Sequence, residues 1–398
     1  MNIVLLQGPL GPFFADLADA LAQQGMVVHR ICFNKGDWHY AKADHVVNYT
    51  EGADTWPEWF TAYAAKHDVQ AVVCYGDSRH YHRLARGVCD AENIKFFACE
   101  EGYVRPGFVT FEEAGNNANS LFPAKFRAGT LSGQKKPSPA KIQQIFKHQF
   151  WFATIYYIVK DWKLHGFRHY KHHRSGNWAS EMMAWLRAGF RKQFITRFAE
   201  KGLTDRLVQR HAGNLFVVPL QVAVDTQMIY HSRFDSVEDF ITEVMRSFAA
   251  HAPADAHLVI KHHPMDRGFN HYGRVITKLS TALNCESRVT YAFDVDLGVL
   301  LENAAGCVTV NSTVASQALE AGVPTVTLGK SMLQAAGLTA VCALDVFWRK
   351  VPSVNVLQIQ QFKNALITHT QTTGSFYCDR DIAAHEIAIK IVKILRKK

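Results

Sequence analysis

GCVTVNSTVASQALEAGVPTVTLG, residues 306–329, holds a complete strand–helix–strand pattern. The β-branched run GCVTVNS (306–312) reads as a buried strand, and TVASQALEAG as a helix that Gly322 and Pro324 close. PTVTLG (324–329) reads as the next strand. Short apolar runs separated by helices indicate βαβ units and a parallel sheet. The pattern extends upstream through LFVVPLQV (215–222), the helix SVEDFITEVMRSFAAH (236–251) and HLVIKHHP (257–264). A helix over roughly 270–283, the strand VTYA and the helix DLGVLLENA complete this block. The first hundred residues repeat the alternation. NIVLLQG (2–8), VVHRICF (27–33), VQAVVCYG (69–76) and IKFFACEEG (94–102) are strands, and the helices between them include ADLADALAQQG, closed by Gly25. The expected class is therefore α/β, with two Rossmann-like parallel-sheet domains facing a cleft. In such sheets ligands bind beyond the carboxyl ends of strands, at the switch point of strand order.

The blocks divide as 1–125, an N-terminal Rossmann-like domain, and 206–370, a C-terminal Rossmann-like domain. Between them, 126–205 reads as a basic aromatic helical linker, entered through the loop-like AKFRAGTLSGQKKPSP (124–139). Residues 371–398 read as a terminal amphipathic helix. Of 398 residues, 48% are apolar and 20% charged, which excludes a disordered or fibrous chain. No apolar run approaches the ~18–20 residues of a spanning helix. MNIVLLQGPLGPFF lacks a basic n-region and a cleavage site, so a cytoplasmic protein is expected. Eight cysteines stand singly with no C-x-x-C pair, which argues for reduced, buried thiols and against a zinc site.

The charge is concentrated. The formal net charge is +9, and residues 141–200 hold 11 Lys+Arg against 3 Asp+Glu. The same stretch holds 14 aromatics and includes QFWFATIYYIV (149–159), too short to span a bilayer. Cations interleaved with rings suit an anionic membrane surface. No nucleic-acid module accompanies them, so no nucleic-acid partner is expected. The tail DIAAHEIAIKIVKILRKK (381–398) reads first as a terminal helix packed on a domain, its closing cations suiting the helix dipole.

Several strand ends carry chemistry. QGPLGPFF has neither G-x-G-x-x-G nor Gly-Lys-Ser/Thr, and Pro9 and Pro12 remove donors, which excludes dinucleotide and P-loop sites. Its glycines are expected to admit an acceptor or the opposite domain. In CEEGYVRPGFVTFE (99–112), Glu100 and Glu101 leave a strand end as acid/base candidates, or as an exposed loop paired with Arg105. In VVPLQVAVDTQM (217–228), Gln221 and Asp225 lie at and beyond another; Asp225 suits a nucleophile or, equally, a helix N-cap. KHHP (261–264) offers Lys261, His262 and His263 as cationic donors for a phosphate, with Pro264 fixing the loop. Adjacent histidines on an extended segment point apart, which is poor for a metal. Asn311, Ser312 and Thr313 sit at a strand-to-helix junction that suits an anion, and Glu320 near the end of that helix suits a ribose.

EEGYVRPGFVTFE, PLQVAVD, KHHP and NSTVASQALEAGVPTVTLG, in this order, resemble the capsule polysaccharide β-Kdo transferases of the single-module KpsS/LipB type, not the longer two-module KpsC enzyme. The resemblance runs over most of the chain. It implies a GT-B fold and a retaining transfer from CMP-β-Kdo to a phosphatidylglycerol-type lipid acceptor, starting the capsule linker. It implies Asp225 as nucleophile with Gln221 beside it, and Glu100 or Glu101 as acid/base. Lys261, His263, Ser312 and Thr313 map onto phosphate contacts, and Glu320 onto the ribose. No metal or other cofactor is expected, since CMP leaves with one phosphate. The protein would sit peripherally on the inner face of the cytoplasmic membrane, with other capsule synthesis and export proteins as partners. The competing readings are another CMP-sugar, sialyltransferase-like capsule enzyme and a non-catalytic capsule assembly protein.

Overall fold

The computed structural model describes residues 1–133, 145–161, 166–170, 178–194 and 198–397. Much of the basic charge read between 141 and 200, including Lys163, Lys171, Arg174 and Arg197, falls outside these residues. The chain forms two compact units. Unit 1 is Met1–Phe122, Leu131–Trp178 and Asn364–Lys398; unit 2 is Pro123–Thr130 and Ala179–Lys363. The stretch 126–205 is thus shared between the units.

Six strands come from the first part of the chain: β1 (Asn2–Leu5), β2 (Val27–Cys32), β3 (His45–Asn48), β4 (Val69–Tyr75), β5 (Lys95–Glu101) and β6 (Phe108–Glu113). Five belong to unit 2: β7 (Leu215–Pro219), β8 (His257–Lys261), β9 (Val289–Ala292), β10 (Ala304–Thr309) and β11 (Thr325–Thr327). A last strand, β12 (Gln371–Thr373), returns to unit 1.

Unit 2 is a five-stranded sheet, β11-β10-β7-β8-β9, with every pair parallel. Unit 1 is seven-stranded, β12-β6-β5-β4-β1-β2-β3. Its first five strands are parallel, and β6 and β12 add antiparallel pairs. Both parallel sheets share one order, with the first strand central and the direction of winding reversing between first and fourth. Here that is β1/β4 and β7/β10. The central strands are buried on both faces, which explains unbroken apolar runs such as AVVCY and LFVV.

Three local readings change. The stretch after the strand read over 94–102 returns as β6, forming the β5–β6 hairpin; Glu100 pairs with Thr110 and Glu101 with Val109. The loop expected from 124 begins as a helix, Phe122–Arg127. The terminal segment from 371 contributes a strand before its helix, Arg380–Arg396.

That helix packs on the first helix, Phe13–Gln23. Ala383, Ala384, Ile387 and Ile391 share a core with Phe13, Leu17 and Leu21. Arg380 Nε donates to Asp16 Oδ2 at 2.6 Å, and Lys390 Nζ donates to Gln371 O at 3.0 Å and Thr372 Oγ1 at 2.6 Å. Polar anchors at both ends fix the register that the apolar stripe alone leaves free.

In the glycine turn after β1, Gly11 makes room for a ring of the middle segment. A Cβ on Gly11, where φ is +123°, would lie 3.0 Å from the ring of Phe152; one on Gly36 would lie 2.6 Å from the ring of Tyr156. Both aromatic residues belong to the helix Ile145–Asp161, which these glycines let pack closely within unit 1. Truncating Ile387 to Ala, at the centre of the terminal helix contact, should cost ~2–5 kcal/mol in urea unfolding with an unchanged m-value.

Candidate functional site

Unit 2 carries the residues read for a phosphate at and after the carboxyl ends of β7, β8 and β10, of which Gln221 and Asn311 meet at the β7/β10 switch point. Gln221 follows β7 and Asn311 follows β10. Gln221 Nε2 donates to Asn311 Oδ1 at 2.9 Å, and Gln221 Oε1 accepts the Asn311 backbone N–H at 3.0 Å. Gln221 is buried, so this reciprocal pair satisfies an amide that would otherwise cost about 1–3 kcal/mol. It also holds the β7 loop to the β10 loop. Beyond it, the Asp225 backbone N–H closes a turn on Val222 O, and its carbonyl accepts from Met228 and Ile229. Asp225 therefore takes the N-cap position of the helix Thr226–His231, with a half-buried side chain.

Ser312 Oγ accepts the Val314 N–H at 3.2 Å, and Thr313 is exposed. The helix Val314–Glu320 carries Glu320 ~10 Å from Thr313 along its axis. There Glu320 forms an ion pair with Lys363 and accepts the Ser316 hydroxyl at 3.2 Å.

The KHHP loop corrects the expectation of three cations. His262 is 0% exposed and turned inward among Tyr272, Tyr291 and Phe293, with Nδ1 2.7 Å from the Tyr291 hydroxyl. Burial pushes its pKa down to about 4, so it is a neutral core residue and not a phosphate donor. His263 faces the other way. Burial, then the Lys261 charge, lower its pKa to about 4 as well. Its Nδ1 accepts the Met265 N–H at 3.1 Å, which leaves the ring proton on Nε2 as a donor. This bond also starts the short turn Pro264–Asp266. Lys261 ends β8 half-buried; burial lowers its pKa, while the carboxylates of Asp294, Glu200 and Asp296 act against that. Glu200 receives the backbone N–H groups of Phe293 and Asp294 at 2.7 and 2.6 Å, a bracing role that composition alone did not signal.

Unit 1 separates the two glutamates. They are neighbours on β5, so they point to opposite faces of the sheet. Glu101 lies on the face of Tyr75 and Tyr377; Tyr75 donates to Glu101 Oε1 at 3.3 Å, and Tyr377 bonds to it as well. Glu100 lies on the other face, against Gly76 and Arg79 at the end of β4. Burial first, then the Glu101 charge, raise the Glu100 pKa to about 7, against the pull of the Glu101 N–H, Arg79 and Arg105. A carboxyl in that range can both donate and accept a proton near neutrality.

Arg79 was not singled out from sequence. Its Nη1 donates to Gln7 Oε1 at 2.9 Å and to Gly8 O at 3.4 Å, and its guanidinium lies 5.1 Å over the Tyr75 ring. Gln7 follows β1 as Gln221 follows β7, so each switch point is spanned by a glutamine. The signal was present as Gln closing the first strand of each block, in VLLQG and VPLQV. Asp225 and Glu100 belong to different units. Among the described residues, no group of three or more His, Cys, Asp or Glu is arranged to hold a metal ion.

The raised pKa of Glu100 has a consequence for stability. A folded pKa above the ordinary 4.5 favours the neutral acid, so stability present below about pH 4.5 is lost as pH rises towards about 7. Glu100→Gln should flatten this part of the pH–stability curve, measured by urea unfolding at each pH; an unchanged slope would contradict the environment described.

Residues 70–377 match the family model described as "Capsule polysaccharide biosynthesis protein". The chain is 35% identical over 384 residues to the capsule polysaccharide modification protein LipB of Neisseria meningitidis serogroup A, covering 94% of this chain and 91% of that protein. It is 33% identical over 377 residues to the capsule polysaccharide export protein KpsS of Escherichia coli, covering 94% and 96%. Among solved structures it is similar to Thermosulfurimonas dismutans KpsC, a β-Kdo 2,7 transferase, at 14% identity and a TM-score of 0.46, over 98% of this chain and 99% of that one. With two Rossmann-like units and family-wide similarity along most of its length, this chain belongs to the capsule polysaccharide biosynthesis protein family.

Proposed function

We propose that the protein is a retaining glycosyltransferase of GT-B type that transfers β-Kdo from CMP-β-Kdo to a phosphatidylglycerol-type lipid, beginning the capsule linker. The observation that supports the reading is the set of donors at and after the carboxyl ends of β8 and β10 in unit 2. His263 offers Nε2–H, Lys261 an ammonium group and Ser312 and Thr313 hydroxyls, beside the locked Gln221–Asn311 pair. A nucleoside monophosphate leaving group needs such donors, and histidines held neutral leave Lys261 to supply the positive charge. Glu320 serves the ribose in this reading. No metal is required, because the departing CMP spreads its charge over a single phosphate.

In the reaction, the Asp225 carboxylate attacks the anomeric carbon as the bond to CMP breaks, and the electron pair leaves on the phosphate. The acceptor hydroxyl then displaces Asp225, and its proton passes to ionised Glu100. Two displacements retain configuration. Glu100 fits this role better than Glu101, whose carboxylate is engaged by two tyrosine hydroxyls.

Contact with the inner face of the cytoplasmic membrane, near the other capsule synthesis and export proteins, completes the proposal. No helix among the described residues is long and apolar enough to cross a membrane. Two helices instead carry exposed apolar stripes: Trp151, Ile155 and Ile158 on Ile145–Asp161, and Met182, Leu186, Phe190 and Phe194 on Trp178–Phe194. The second set recurs every four residues, a continuous stripe along one side of that helix.

Three measurements test the reading. Asp225→Asn should bind CMP normally yet lose transfer. A Kdo adduct found by mass spectrometry on another residue would refute the nucleophile, whereas an N-cap role alone would lower stability and preserve turnover per folded molecule. His263→Ala should weaken CMP binding in calorimetry by roughly 10- to 100-fold. Binding to phosphatidylglycerol vesicles should exceed binding to neutral vesicles and fall with salt. Absence of CMP release with any lipid acceptor would favour a non-catalytic assembly role.

A further inference from the structure

A buried polar cluster in unit 1 connects the middle segment of the chain to Arg79. Gln7 is its hub. Gln7 Nε2 lies 3.1 Å from both carboxylate oxygens of Asp37, from the Tyr156 hydroxyl and from the Tyr170 hydroxyl. Tyr156 in turn donates to Asp37 Oδ1 at 3.1 Å and accepts from Asn34 Nδ2 at 2.8 Å. On its other side Gln7 Oε1 accepts from Arg79. A carboxylate holds the NH2 end and a guanidinium the oxygen end, so the amide has one orientation.

Arg79 needs this support. It occupies the N-cap position of the helix His80–Ala91, where the dipole repels a cation and the preferred residues are Ser, Thr, Asp and Asn. It gives that helix no side-chain cap. Its fixed acceptors are Gln7 Oε1 and Gly8 O, and its flat face rests on Tyr75. A cation placed against local preference, and held by neutral acceptors, keeps its charge available to Glu100.

We propose that Tyr156 and Tyr170 act through Gln7 as positioning residues, holding Arg79 beside Gly76, where the Glu100 carboxylate also lies, so that the middle segment of the chain places the cation nearest that carboxyl. The proposal rests on Glu100 as the acid/base for its functional meaning, but not for its geometry. Tyr156 lies on the inward face of the helix whose outward face carries Trp151, Ile155 and Ile158. Any displacement of that helix therefore reaches Gln7 first, then Arg79.

The charged and titratable groups around Glu100 are Glu101 and Cys99 on its own strand, Arg79 after β4, Arg105 in the hairpin, Tyr75 on β4 and Tyr377 before the terminal helix. Arg79 and Arg105 are the cations among them, and only Arg79 is tied to Gln7. The test is a pH titration of the Glu100 carboxyl by isotope-edited infrared or carbon NMR on the full chain, with Glu100→Gln assigning the signal. Arg79→Met should move the titration to higher pH by about one unit or more. Tyr156→Phe keeps the ring on Gly36 and removes only the hydroxyl; it should move the titration in the same direction by less, and Tyr156→Phe/Tyr170→Phe by more than either alone. Ile155→Ala, on the outward face, should leave it unmoved.

A purely structural role would lower the melting temperature of the tyrosine variants with no change in the titration, and would overturn the proposal. So would an Arg79→Met titration identical to that of the unmodified protein. Should Tyr156→Phe fail to fold, Tyr170→Phe reads the same shift from a less buried position. If the titrations move as expected while Glu100→Gln still transfers sugar at full rate, the positioning network stands and the acid/base reading fails.

Discussion

A parallel sheet whose winding reverses leaves an unfilled crevice between two strand ends, and both units of this protein close theirs with one glutamine. Gln7 spans β1 to β4, and Gln221 spans β7 to β10. Both are buried, so both ends of each amide must be satisfied. That requirement fixes the two loops that flank each crevice. The loops in turn carry Arg79, beside which Glu100 projects from β5, and Asp225, Ser312 and Thr313. Remove the bridge, and the sheets retain their cores while the groups around each crevice lose their common reference.

Burial then sets the charges. His262 and His263 are pushed to neutrality, so the KHHP loop presents one ammonium and one neutral N–H donor in place of three cations. Glu100 is pushed the opposite way, towards a pKa near neutrality, because the same desolvation penalises a carboxylate. Arg79 remains charged at a helix N-terminus that disfavours it, held by amide and carbonyl oxygens and an aromatic face. Residue type alone therefore misjudges the electrostatics of the KHHP loop, where desolvation removes two of the three expected cations.

The middle segment has two distinct roles that its composition merges. Inward, Phe152 and Tyr156 pack on glycines of unit 1 and contribute a hydroxyl to a buried polar cluster. Outward, Trp151, Ile155 and Ile158 remain exposed. Trp178–Phe194 makes the same division in unit 2: Ala184 packs over Gly268, where a Cβ would lie 2.0 Å from the Ala184 carbonyl oxygen, and Arg187 and Arg191 donate to the carbonyls of Gly268 and Arg267 at 2.5 and 2.6 Å. Part of the basic charge thus ends on backbone oxygens, while the apolar stripe stays open.

Local periodicity was enough to identify the alternating strands and helices, the two-block α/β organisation and the terminal helix, because alternation and amphipathic spacing are properties of neighbouring residues. It was also enough to mark Gln221, Asn311, His263 and the Glu100–Glu101 pair as strand-end residues. It missed β3, β6 and β12, short edge or hairpin strands whose pairing is decided by partners distant in sequence. The choice between Glu100 and Glu101 was likewise closed to it: one position along β5 exchanges an environment of Tyr75 and Tyr377 for one of Gly76 and Arg79, and both environments arrive from elsewhere in the chain. So, too, with His262 and His263: both are held neutral, but His262 turns into the core against Tyr291, which arrives from β9, while His263 accepts the Met265 N–H. The sequence by itself determined which segments could form strands and helices; only the tertiary structure decided which side chains share a crevice and which charges survive there, because burial and contact are set by residues far apart in the chain.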